Sequence, residues 1–164
     1  RSGKDFYEWV APGSAFRMGE YEAAVLSAEF AGREKNLALR RKIADVLLAE
    51  LEGEMPGLRL LQSDHGTISN HHFLGLICES EPLADFLLQG MAAKSIDCRR
   101  HYAPLHLSPR AATMGYGPSH LPNVEACWRR LIRLPIHTGM SQADAIRVAR
   151  TLRSLCLTHA LMAA

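Results

Sequence analysis

The stretch LIRLPIHTGMSQADAIRVARTLRSLCL, residues 131–157, holds two kinds of element in one short span. LIRLPI (131–136) is a short apolar run closed by proline and reads as a strand. Ser141 followed three residues later by Asp144 is a capping signature, so a helix starts there and runs towards Leu161. Its apolar positions Ala145, Val148, Leu152, Leu155 and Cys156 recur at helical spacing and face inward. Arg147, Arg150 and Arg153 fall on the opposite side and read as a solvated stripe. A strand followed closely by an amphipathic helix sets the expectation of a mixed fold.

Working back towards the N-terminus, Pro82 opens a helix to about Ala93, with Leu83, Phe86, Leu87 and Met91 inward. LRLLQ (58–62) and HHFLGLICE (71–79) read as strands, the second mostly buried, and SIDCR (95–99) as a possible third. Alternation along 71–79 would send His71 and His72 to opposite faces. A helix from Glu34 to Glu52 would bury Ile43, Leu47, Leu48 and Leu51 and expose Arg40, Arg41 and Lys42. Before it, Met18 to Phe30 forms another helix with Tyr21, Ala24, Val25 and Ala28 as its stripe, and Ala31-Gly32 permits a break between the two. Residues 101–122 carry four prolines and read as a long loop leading into a short helix over Asn123–Arg130. The fold class is therefore α+β, a small antiparallel sheet with helices mainly on one face, preceded by a long kinked helix. Residues 1–17 form an N-terminal loop and interface segment. Residues 18–164 form one small domain, of which 18–52 are interface and connecting helices.

Composition narrows the function classes. A formal charge of +2 over 164 residues argues against nucleic acid or an anionic membrane as partner. No apolar run reaches membrane-spanning length, and the first ten residues lack a signal-peptide core. Cys78, Cys98, Cys127 and Cys156 are widely spaced with no CxxC pair, which points to reduced packing residues and a cytoplasmic setting. Residue 1 is arginine, so the expectation is a chain processed, cut or excerpted from something longer.

Three places could carry chemistry. At GSAFRMGEYEAAVLSAEF (13–30), Gly13 and Ser14 permit close backbone approach to a ligand, and Arg17 puts a cation where a helix dipole would favour an anion. A bound phosphate and a plain helix start with Arg17 in water both account for this. In RRHYAPLHLSP (99–109), His101, Tyr102 and His106 can hydrogen-bond a polyhydroxylated or carboxylate substrate, or the loop simply packs. The spacing of the two histidines and the absence of an intervening acid argue against a metal there. His71 and His72 read as one core and one surface residue. No GxSxG elbow or glycine-rich phosphate fingerprint occurs.

These stretches together resemble the C-terminal part of the DegT/StrS-type sugar and cyclitol aminotransferases, which use pyridoxal phosphate on a fold-type I scaffold. GSAFRMGEYEAAVLSAEF is similar to the family's Gly-x-Asn-aromatic-Arg-Met-x-Glu segment, HYAPLH to its His-Tyr-x-Pro-Leu-His loop, and LPNVEACWRRLIRLPIHTGMSQAD to its Leu-Pro-x-x-Glu segment and following strand. The resemblance covers essentially the whole chain, in the family's order.

The resemblance implies that this chain is the small C-terminal domain of such an enzyme. The large domain, which supplies the lysine that binds the cofactor as an imine, is missing. Lys4, Lys35, Lys42 and Lys94 match no lysine motif of the family, so the chain alone should not transaminate. In the complete enzyme, glutamate or glutamine would pass its amine through pyridoxal 5'-phosphate to a keto sugar or ketocyclitol. Ser14 and Arg17 would face the cofactor phosphate of a neighbouring subunit, with Ala15 standing where asparagine is usual. His101, Tyr102 and His106 would face the substrate. The implied partners are a second copy or a complementary large-domain chain, and a nucleotide-sugar or cyclitol substrate, with no nucleic acid, membrane or metal. Two other readings stand beside this one: a stand-alone, non-catalytic binding or assembly module, and an unrelated α+β enzyme built on the histidine loop.

Overall fold

The computed structural model describes residues 17–61 and 66–163. Gly13, Ser14, Ala15 and Phe16 lie outside the described residues, as do Lys4 and His65. The chain divides into two compact units, Arg1–Glu34 and Lys35–Ala164.

The first unit holds α1 (Glu20–Ala31). Its N-cap is Gly19, whose N–H donates to the Glu22 carboxylate at 2.6 Å. Two glutamates in the first turn suit the positive end of the helix dipole. The helix stops at Gly32, and α2 (Arg33–Glu50) starts at once, as the Ala31-Gly32 pair predicts. No described residue of α1 is buried; Tyr21, Val25, Leu26 and Phe30 are exposed.

The second unit carries the core. Strands β1 (Leu58–Leu60), β2 (Phe73–Cys78) and β3 (Leu131–Pro135) form one antiparallel sheet in the order β1-β2-β3. Leu76 pairs with Leu60 on one side and Ile132 on the other, which fixes the register. Strand alternation then puts Leu74, Leu76 and Cys78 of β2 with Ile132 and Leu134 of β3 into one apolar cluster. Helices α2, α3 (Glu81–Ala93) and α6 (Gln142–Ala163) complete it with Ile43, Leu47, Leu83, Leu87, Met91, Val148 and Leu152. The remaining helices are the short α4 (Pro109–Ala112) and α5 (Pro122–Arg130), with a single 3-10 turn at Leu105–Leu107.

Local chemistry sets the element boundaries. Ser80 caps α3, its hydroxyl accepting from Leu83 N–H at 3.3 Å, and Pro82 sits in the first turn. Ser141 and Asp144 cap α6 reciprocally: Ser141 N–H donates to the Asp144 carboxylate at 3.0 Å, and Asp144 N–H to the Ser141 hydroxyl at 3.1 Å. Gly90 lies inside α3 because α6 passes close by. A Cβ there would stand 2.7 Å from a Leu155 methyl. Gly57, ahead of β1, has φ +72°, and a Cβ there would meet Leu83 and Glu79.

Four sequence expectations are corrected. SIDCR (95–99) is not a third strand; it contributes one bridge, Arg99 to Arg133, because Ser95 (φ 55°) turns the chain out of α3 and too few residues remain to make a ladder. The strand in HHFLGLICE starts at Phe73: the Ser69 and Asn70 side chains accept from His71 and His72 N–H, and that turn replaces strand alternation. In α2, Ala44 is buried and Leu48 is exposed, while Arg40 is half-buried. Lastly, the α6 arginines do not form a merely solvated stripe. Arg153 donates to the carbonyls of Glu50 and Glu52 at 2.8 and 2.7 Å, closing the C-terminal end of α2. Arg147 donates to the Lys94 carbonyl past the end of α3, and Arg150 pairs with Glu50 at 3.0 Å. Cations at helix C-termini satisfy orphan carbonyls and oppose the dipole.

Arg153→Met keeps the aliphatic stem and removes these donors. It should lower stability by about 1–2 kcal/mol. Arg150→Met, losing an exposed ion pair, should change it much less. Urea denaturation of the two variants beside the parent chain checks the order.

Candidate functional site

The site lies at the end of the sheet where β2 begins and β3 leaves. Ile132 and Leu134 are fully buried on the core face, so Arg133 between them is carried to the opposite face. Its guanidinium lies 3.6 Å from the centroid of the Phe73 ring and 5.8 Å from that of Tyr102. Gly75 stands directly opposite Arg133 in the register and brings no side chain to that place.

Beside β3, the backbones of Arg99 and Arg133 exchange both hydrogen bonds, at 3.3 and 2.9 Å. The next residue, Arg100, points into the protein, where it pairs with Asp85 at 2.8 Å and lies over Trp128. Arg99 is exposed and pairs with Asp97. The chain continues into His101 and Tyr102, whose rings stack at 4.9 Å. His72, Arg99, His101, Arg133 and His137 together line an open pocket of about 170 Å³, with Asp97 as its one acidic side chain.

His106 takes a different position. It is 8% exposed, and its Nε2 donates to Oε1 of Glu125 on α5 at 2.9 Å. The same oxygen accepts from Ser119 N–H at 2.8 Å. The pair ties the proline-rich segment to α5. Hydrogen bonding to His106, and then to the Ser119 and Leu121 backbone, holds the Glu125 carboxyl below its ordinary value.

Of the residues singled out from sequence, His101 and Tyr102 come together at the pocket and His106 lies beneath the loop. Arg17 is exposed two residues before the cap of α1. Sequence reading missed Arg133, Arg99 and His137 as site residues and Glu125 as a partner. A charged residue between two apolar ones in a strand was the available signal for Arg133.

Other chemistries find little support among the described residues. No group of three or more His, Cys, Asp or Glu side chains could hold a metal ion. Burial pushes the thiols of Cys78 and Cys98 up to about 12 and that of Cys156 to about 11, so at neutral pH they are protonated packing groups. No helix among them is long and apolar enough to cross a membrane.

A three-stranded antiparallel sheet backed by helices, with a cationic and aromatic pocket at its end, thus defines the class. Residues 1–153 match the DegT/DnrJ/EryC1/StrS aminotransferase family, and the chain belongs to that family. It is 29% identical over 152 residues to the erythromycin biosynthesis sensory transduction protein EryC1 of Saccharopolyspora erythraea, covering 92% of this chain and 40% of that protein. It is 30% identical over 148 residues to the dTDP-3-amino-3,4,6-trideoxy-alpha-D-glucose transaminase of Streptomyces venezuelae, covering 90% and 38%. The crystal structure of S. venezuelae DesV with a ketimine intermediate superposes with a TM-score of 0.79 at 28% identity, over 93% of this chain and 40% of that one. The chain thus spans about two fifths of the length of the curated relatives it matches.

The complete enzymes of this family use pyridoxal phosphate. The described residues of this chain do not by themselves fit that cofactor. Lys35, Lys42 and Lys94 are all exposed, and none lines the pocket at the sheet end. An imine-forming lysine needs an enclosed, desolvating setting.

The depressed Glu125 carboxyl fixes a pH dependence. Its contribution to stability is fully present above the ordinary glutamate value of 4.5 and is lost as pH falls through the lower folded value. Glu125→Gln should therefore flatten part of the acid limb of stability below pH 4.5. Asp144, held below 3.8 mainly by Ser141, should keep the rest. Denaturation midpoints at neutral pH and at two acidic pH values check this.

Proposed function

We infer that this chain is the C-terminal portion of a pyridoxal-phosphate-dependent aminotransferase that moves an amine from glutamate or glutamine to a keto sugar or ketocyclitol. The observation that carries the reading is the unbroken family match over residues 1–153, running through both units. The likeness to a transaminase named for a dTDP-linked amino sugar supports a sugar substrate.

In this reading the cofactor, bound mainly by a large domain with the imine-forming lysine, holds the amine between donor and acceptor. This chain supplies part of the enclosure. His101 and Tyr102, stacked at the pocket mouth, contact the substrate and exclude water from one side. His106 works through the loop, which it holds against α5 by its bond to Glu125. Ser14 and Arg17 face the cofactor phosphate of a neighbouring subunit. Residues 18–52 provide interface and connecting helices, and the exposed face of α1, with Tyr21 and Val25, is where a second copy or a complementary large-domain chain docks.

A second reading, a stand-alone module without catalysis, draws on the exposed lysines and on Ala15 standing where the family has asparagine. Joining or mixing the chain with a large-domain chain that carries the lysine separates the two. With pyridoxal phosphate, glutamate and a keto-sugar nucleotide, the first reading expects turnover, and the second expects none. In the active assembly His101→Ala should lower kcat/KM by about tenfold or more. Sedimentation of the isolated chain should show concentration-dependent self-association, weakened by Val25→Glu. A monomer across a wide concentration range would remove the docking role of α1.

A further inference from the structure

Of the two arginines at the sheet end, only Arg99 has a counter-ion among the described residues. Arg99 and Arg133 form a hydrogen-bonded antiparallel pair, so their side chains rise from the same face as direct neighbours. Like charges in that relation repel. Asp97 offsets Arg99 at 2.5 Å. The Arg133 guanidinium has no carboxylate or carbonyl acceptor among the described residues. Its contacts there are the faces of Phe73 and Tyr102. Stacking fixes the plane of a guanidinium and leaves its N–H edge free, the arrangement that recognises a tetrahedral or planar oxyanion. His72, His101 and His137 add three more ring nitrogens around the same opening.

From this we propose that the pocket between Arg133, Arg99, His101 and His137 is a phosphate-binding site. Arg133 is its central residue, and the occupant is a phosphate group of the substrate. Two arginines and three histidines against one carboxylate favour a multiply charged phosphate over a single carboxylate. Assignment of that phosphate to the substrate rests on the aminotransferase reading. The site itself rests on the pocket alone.

The test uses the 164-residue chain and inorganic phosphate, followed by calorimetry and by the NMR signals of the histidine rings. Saturable binding is expected, with His101 and His137 shifting and the remote His159 unmoved. Arg133→Ala should weaken binding by about tenfold or more. If that variant unfolds, Arg133→Lys, which keeps the charge and loses the planar fork, should weaken it several-fold, and Arg99→Gln should do likewise. Arg129→Gln, on α5 outside the pocket, should leave binding unchanged. A sugar 1-phosphate and a nucleoside diphosphate are then competed against phosphate. Displacement by either identifies the source, and displacement by neither overturns the assignment to substrate. The site is overturned if phosphate does not saturate, if the Arg133 variants bind as the parent does, or if glutamate moves the same histidines at lower concentration than phosphate. Phosphate binding without turnover in the complemented enzyme would fail the aminotransferase reading alone.

Discussion

Strand β3 depends on one constraint: neighbouring residues of a paired strand cannot share a face. Pairing with β2 sends Ile132 and Leu134 into the cluster closed by α2, α3 and α6. Once they are buried, Arg133 has no choice of side. A slip of one residue would bring an arginine into the core and two large aliphatic side chains into water, at a cost that a three-stranded sheet has no means to offset. The packing of the core and the placement of the pocket cation are two consequences of one register.

The arginines of α6 do a related job at longer range. Helices α2 and α3 end at Glu50 and Ala93, each leaving carbonyls without partners. Arg153 and Arg147 reach those carbonyls from a third helix. The long side chains therefore bind together elements that are about a hundred and about fifty residues away in sequence. Charge here supplements apolar packing at the places where packing cannot satisfy the backbone.

What could be read from sequence follows the same division. The helices stood out because each carries an apolar stripe or a boundary signal: Ser141 with Asp144, Pro82 opening α3, and the break at Gly32. The continuous apolar run of β2 was equally open to reading. Periodicity has no access to partners chosen in three dimensions. The Ser69 and Asn70 side chains that turn His71 and His72 out of the strand act locally, yet they compete with a pattern that looked continuous. The bridge of Arg99 to Arg133 joins two segments separated by a helix and a long loop. Arg153 looked solvated because a helical wheel contains no neighbouring helix. His106 illustrates the point at the site: a histidine in a proline-rich loop suggests exposure, and only the placement of Glu125 on α5 shows it to be buried.

The same reasoning bears on how a domain can lose or keep a chemical role. Most residues that hold the fold, Ile132, Leu87 and Arg153 among them, are separate from the charged and aromatic side chains of the pocket, and the two sets meet at the end of β3, where Leu134 and Ile136 belong to both. The face bearing Arg133 is free to carry a cation whose repulsion from Arg99 weakens the sheet slightly, because the opposite face contributes far more. An arginine on such a strand, set beside a second arginine, stacked on the Phe73 ring and lying near that of Tyr102, is difficult to account for as packing. Alanine or threonine would serve the strand as well without the repulsion. The arrangement makes physical sense when something negatively charged completes it, which places the weight of recognition in this domain on the strand and not on the loop alone.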